Sequence, residues 1–279
     1  MMTRLAIFMF SLLLLPLAGL YLGGGEWSGL NASHFAEDES AAAALHTSMA
    51  LLIYILLVNH VIKRLTGSAP LERQRAYFVR VCIAGALTGW QISYLNLFVS
   101  NWRVQQDQPW IVQLLLYTPP FALLVPAVLV TVAFFASFPV LSRILSRGPK
   151  LPAGNGMSSA VFCLLALAGL VAGAASPQQL YWLLWLSPPL LLGALQWPNK
   201  TSYSPAMSGD WGRIICSMLS GILVGNLAVG SYQSKASLDI NLPNALLLQA
   251  GFALFGLLCL QLGEFLTPQP ITNLAQNKT

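Results

Sequence analysis

The fold class predicted by the sequence is an all-α, polytopic transmembrane helix bundle of about eight spans, and three observations predict it. The chain has 279 residues, 56% of them hydrophobic and only 8% charged, where an ordinary soluble domain carries roughly 25% charge. A surface facing water could not be built from such a composition. Its apolar segments are continuous rather than alternating, which selects helices over barrel strands. Its charges collect in the gaps between those segments, as they do in loops bordering a bilayer.

The segments follow in order, each about long enough to cross. The first, about 5–22, follows Arg4 and resembles a secretory signal. The apolar run continues past Pro16, however, and Ala18–Gly19 is a poor cleavage site, so an uncleaved helix is expected; cleavage would leave seven spans and an outside N-terminus. The second, about 41–62, lies between the acids Glu37, Asp38 and Glu39 and the bases Lys63 and Arg64. The third, about 77–99, has Arg80 one turn inside, within snorkelling reach of the surface. The fourth, about 118–141, is broken by Pro119, Pro120, Pro126 and Pro139, with Trp110–Tyr117 read as an interfacial lead-in. The fifth and sixth are about 158–175 and 180–196. The seventh, about 211–229, opens at Asp210-Trp211-Gly212-Arg213, where Asp210 can cap the helix and Arg213 can face lipid phosphates. The eighth, about 245–266, carries Glu264 a turn from its end. No soluble domain interrupts residues 1–279.

Orientation follows from the loops. On this span count, 12 of the 14 basic residues fall on one side with three acids, a balance of +9; Arg103 and Lys235 face six acids on the other side, a balance of −4. The positive side is cytoplasmic, so both termini are expected inside. Short loops and so strong a bias point to a bacterial cytoplasmic (inner) membrane. Losing or adding one helix would flip every later loop and spoil the pattern.

This distribution also disposes of nucleic acid as a partner, because no basic run is interleaved with aromatics. Cys82, Cys163, Cys216 and Cys259 sit singly inside spans without a CxxC pair, so neither a disulfide framework nor a zinc site is expected. The Asn31-Ala-Ser sequon would matter only in a eukaryotic secretory pathway. Gly-x-Ser-x-Gly, HExxH and P-loop signatures are absent, and no two acids share a helix face within a span. Lipid-modifying enzymes use clustered metal-binding carboxylates, and the middle of the bundle lacks the charge a proton relay requires.

His46 and His60 lie in one helix about four turns, or roughly 21 Å, apart. The pair resembles those that hold two haems in cytochrome b-type bundles. Two bis-histidine haems need a second helix with two more histidines, and the remaining His34 is in an outer loop. Haem through His46 and His60 would therefore need a homodimer or a Met ligand, and no cofactor is predicted.

Uncharged polar residues provide the candidate site. His46, Gln91, Ser93, Asn96, Asn226 and Gln249 all fall in the outer half of the bilayer, with Trp90, Tyr94, Tyr117, Trp182 and Trp185 towards the same side. If those helices meet, they line an outward-facing pocket suited to a lipid headgroup, a quinone or a small polar solute. Interhelical hydrogen bonds and an aromatic belt would account for the same residues. Glycines recur four apart at Gly85/Gly89, Gly169/Gly173 and Gly221/Gly225, a spacing that lets helices pack closely with each other or with another subunit. Leu116-Tyr-Thr-Pro-Pro120 and Trp185-Leu-Ser-Pro-Pro189 hint at an internal repeat. The expected function is a non-catalytic membrane protein, a subunit or accessory factor of a cytoplasmic-membrane complex whose partners are lipids and other subunits or itself. The alternatives are a small-solute permease and, more weakly, a membrane enzyme acting on lipid.

Overall fold

A computed structural model describes residues 11–12, 14–16, 18, 39–68, 70–73, 75–104, 109–138, 156–196 and 211–267. Its helices are α1 (Glu39–Thr66), α2 (Pro70–Arg73), α3 (Arg75–Val99), α4 (Trp110–Ala136), α5 (Gly156–Ala175), α6 (Pro177–Gln196), α7 (Trp211–Gln233) and α8 (Ala245–Leu266), with two three-residue strands, β1 (Trp102–Val104) and β2 (Leu238–Ile240). Five of them, α1, α3, α4, α7 and α8, are long and apolar enough to cross a membrane. The expected fifth and sixth spans are helices of 20 residues each, α5 and α6, and a single non-helical residue, Ser176, separates them. Of the first expected span only residues 11, 12, 14–16 and 18 are described, all helical. Asp210 and the acidic cluster before Glu39 lie outside the described residues.

Local chemistry sets the ends. Glu39 in the first turn of α1 and Lys63 and Arg64 in its last suit the helix dipole. Gly67, at φ +76°, returns its N–H to the Lys63 carbonyl at 2.9 Å, the left-handed stop that glycine adopts without strain. Asn244 caps α8 by accepting from the Leu247 N–H at 3.0 Å. In α4 the helix runs unbroken from Trp110, so Trp110–Tyr117 is part of the helix rather than a separate lead-in. Pro119, Pro120 and Pro126 are carried inside it, each leaving one carbonyl without its helical donor.

The helices pack around α4, which touches α1, α3, α7 and α8; the α5–α6 hairpin lies against α8 and α3. One apolar cluster joins Leu51 and Ile55 of α1, Val81 of α3, Val125 and Val128 of α4, Val224 of α7 and Cys259 of α8. Another joins Leu12 to Leu95, Leu170, Leu184 and Leu258, which ties the N-terminal helical residues to the hairpin side. All four cysteines are free thiols.

The glycine pairs mark where consecutive helices touch. A Cβ on Gly85 would stand 2.9 Å from the Phe121 and Ala122 carbonyl oxygens of α4; Ala122 is four residues before Pro126, so its carbonyl has no helical donor and is free to meet α3. Gly89 faces the Phe121 side chain. Gly169 and Gly173 of α5 face Ser187 and Leu184 of α6, and Gly221 and Gly225 of α7 face Gly256 and Phe252 of α8. Every one of these close approaches is made within the chain.

The outer surface of the bundle carries many large apolar side chains. Leu45, Met49, Ile53, Leu56 and Leu57 of α1 are all at least half exposed, while Ser217, Ser220 and Thr131 are buried. A soluble monomer does not present such a continuous apolar face to water.

Candidate functional site

The bundle has two chemically distinct ends. Lys63, Arg64, Arg75, Arg80 and Arg213 gather at one, the basic end; at the other, β1 and β2 pair antiparallel, with Arg103 opposite Asp239. This strand pairing has no signal in the hydropathy pattern, because three residues are too few to show a period.

The six polar residues singled out by the sequence lie towards the strand end or in mid-bundle, and they do not share one cavity. His46 Nδ1 of α1 lies 3.1 Å from the Ser231 carbonyl of α7 and 3.4 Å from Ser234 Oγ. Asn96 is consumed by the main chain: its Nδ2 donates to the Trp102 carbonyl at 2.7 Å, and its Oδ1 accepts from the Asn101 and Trp102 N–H groups at 3.0 and 3.2 Å. It thereby fixes the exit of α3 into β1, where Ser100 takes a left-handed φ of 49°. Asn226 and Gln249 form a reciprocal amide pair between α7 and α8 (2.7 and 3.0 Å), with Asn226 exposed on the bundle surface. Ser93 is half-buried. Gln91 is 8% exposed, and its Nε2 has no hydrogen-bond partner; it borders a void of about 10 Å³ with Thr88, Leu95 and Pro188, about the room one water needs. Polar side chains in an apolar medium take the nearest partner, and here four of the six find one in the chain itself.

Aromatic side chains expected to wall the pocket contact other side chains of the bundle. Tyr117 and Tyr232 bring their hydroxyls to 3.2 Å, Trp90 donates to Thr118 at 2.9 Å and packs edge-on to Phe121, and Trp102 stacks on Trp185 at 5.2 Å. Thr118 and Ser187, the hydroxyls before the two Pro pairs, both donate to the carbonyl four residues back.

A cavity of about 430 Å³ lies at the opposite, basic end, lined by α3, α4, α7 and α8 with Pro70 and Leu71 of α2. That is within the size range of small-molecule sites. Its walls are apolar along α4 (Leu129, Val130, Ala133) and across to Phe78 and Leu260, with one polar corner made by Arg213, Glu264, Tyr77 and Thr267. Arg213 Nη2 stands 3.3 Å from Glu264 Oε1, with Arg213 38% exposed and Glu264 14%. Tyr77 donates its hydroxyl to the Gly263 carbonyl at 2.9 Å, and Thr267 Oγ1 donates to the same oxygen at 2.8 Å. Gly263 is required for this meeting, since a Cβ there would crowd both the Tyr77 hydroxyl and the Leu129 methyls at 3.0 Å. None of the six expected residues lines this cavity.

The sequence does not flag the polar corner, because its charged members read as ordinary in isolation, an arginine facing lipid phosphates and a glutamate a turn from a helix end. One signal was available. Glu264 is an acid at the basic end, placed in the last turn of α8 where the helix dipole disfavours negative charge.

No group of three or more His, Cys, Asp or Glu side chains able to hold a metal occurs among the described residues. His60 Nε2 accepts from Arg64 at 3.4 Å. The helices and their exposed apolar faces define a multi-pass membrane protein. No protein-family model, curated protein or solved structure matches the chain.

Proposed function

We propose that the protein is a non-catalytic, eight-span component of a bacterial cytoplasmic membrane, with both termini cytoplasmic, which acts as a subunit or accessory factor and holds a lipid or quinone. The observation that carries this reading is the cavity at the basic end, whose apolar walls end in one small polar corner. That gradient complements an amphiphile with its head near the surface and its tail in the bundle, and a water-soluble ligand would have little use for it. Support for a pocket there rather than in the outer half comes from four of the six outer polar residues, which bond one another or the main chain. Eight spans remain consistent with α5 and α6, whose 20 residues each reach roughly 30 Å, the thickness of the hydrocarbon core.

Purification from the native membrane in a mild detergent, followed by mass spectrometry, tests the proposal. Co-purifying membrane subunits together with a bound amphiphile are expected; a solitary protein with turnover on a substrate would overturn it. The Pro-bearing helices α4 and α6 favour a second reading, a small-solute permease, since freed carbonyls can line a polar path. Solute flux in proteoliposomes that Gln91→Leu or Asn226→Leu abolishes would select it.

A further inference from the structure

We propose that the polar corner of the basic-end cavity recognises a zwitterionic head bearing a primary ammonium and a phosphate, as in an ethanolamine phospholipid; this rests on the amphiphile reading above. The argument starts from Glu264. Two rules disfavour an acid in its position. It lies in the last turn of α8 against the helix dipole, and largely out of water at 14% exposure. Arg213 offsets its charge, yet Arg213 is 38% exposed and its long side chain can turn outward. A carboxylate kept at such a site has its use in facing a cation.

Among the described residues that line the cavity, the charged ones are Arg213 and Glu264, one cation and one anion. Each partly cancels the other's attraction for a purely anionic or a purely cationic head. A zwitterion satisfies both charges at once, with its phosphate on the Arg213 guanidinium and its ammonium on the Glu264 carboxylate, each a charge-assisted hydrogen bond. The guanidinium geometry suits a phosphate, and a primary ammonium can donate to a carboxylate where a trimethylammonium cannot. The site also lies at the right depth. Arg213 is the third residue of α7 and Glu264 the third from the end of α8, while the apolar walls run inward along α4.

The test uses the full-length protein, delipidated in detergent and titrated with phosphatidylethanolamine, phosphatidylglycerol, phosphatidylcholine, a quinone and free phosphoethanolamine, with retained ligand read by native mass spectrometry. Wild type should retain phosphatidylethanolamine roughly tenfold better than phosphatidylglycerol or phosphatidylcholine, about one charge-assisted hydrogen bond's worth. Glu264→Gln removes the anion of the corner and keeps Arg213, and should reverse the order towards phosphatidylglycerol; Arg213→Gln should weaken both phospholipids. The wild-type comparison needs no variant to fold. Retention of phosphatidylglycerol or quinone above phosphatidylethanolamine by wild type overturns the zwitterion assignment and leaves the amphiphile reading standing. Retention of no amphiphile removes both. Free phosphoethanolamine binding as well as the lipid would keep the head-group chemistry but overturn the lipid as its source.

Discussion

The tightest backbone approach between the central helices is at Gly256 of α8, where a Cβ would collide with the Ser217 carbonyl of α7 and lie 2.9 Å from the Gly221 Cα. Gly256→Ala sets two effects against each other. Replacing a helical glycine by alanine is worth about 1 kcal/mol in the helix. Overpacking costs about 1–3 kcal/mol, and the upper end applies because the obstructing atoms are backbone and cannot rotate aside. The net is a loss of about 2 kcal/mol, or a fall of about 4–8 °C in apparent Tm for a chain of this size. Gly251→Ala, five residues earlier in α8, meets nothing within 4 Å and should hold or raise Tm by a few degrees, about the helix gain alone. Gly221→Ala faces the same contact, so in the double variant the helices have already moved apart for the first methyl, and the combined loss should fall short of the sum by about 1 kcal/mol. Thermal unfolding in detergent, followed by fluorescence, measures all four variants. Equal behaviour of Gly256→Ala and Gly251→Ala would refute the close α7–α8 approach.

The Asn226–Gln249 pair should behave as a unit: Asn226→Leu orphans the Gln249 amide, Gln249→Leu leaves Asn226 only its bond to the Ile222 carbonyl, and each costs about 1 kcal/mol, while the double Leu variant recovers most of that loss; additive losses in the same melts would contradict the reciprocal geometry. Asn96→Ala removes three hydrogen bonds from the α3–β1 junction, so hydrogen exchange should speed up at least tenfold over residues 101–104 and 238–240 with little change in α1, and unchanged exchange there would show that the strands hold without it. Cysteines introduced at Asp239 and at Arg64 should react with an impermeant maleimide from opposite faces of intact cells, Asp239→Cys from outside; labelling of both from one face would reject the proposed orientation.

Much of this molecule is a consequence of its sequence alone. A chain with 8% charge must hide its backbone in helices, and the boundaries of α1, α3, α5, α6, α7 and α8 follow within a few residues from where Lys63, Arg75, Ser176, Arg213 and Glu264 interrupt the apolar runs. Those are local properties, since hydropathy and charge act at each position independently. The merging of Trp110–Tyr117 into α4 escaped them, because prolines that would end an isolated helix are tolerated once neighbouring side chains and helices meet the freed groups.

Tertiary structure decided which residues meet. That Asn226 would find Gln249 and Asn96 would turn to the chain after it depends on helix rotation and spacing, and an amide in lipid takes whichever partner those bring closest. The cavity depends on the same choice. Arg213 and Glu264 are separated by 51 positions in the chain, and their pairing exists only because α7 and α8 close on glycines and carry two charges to one end of the bundle. Sequence determined that these charges would lie at the ends of apolar helices; packing alone decided that two opposite ones would share a corner.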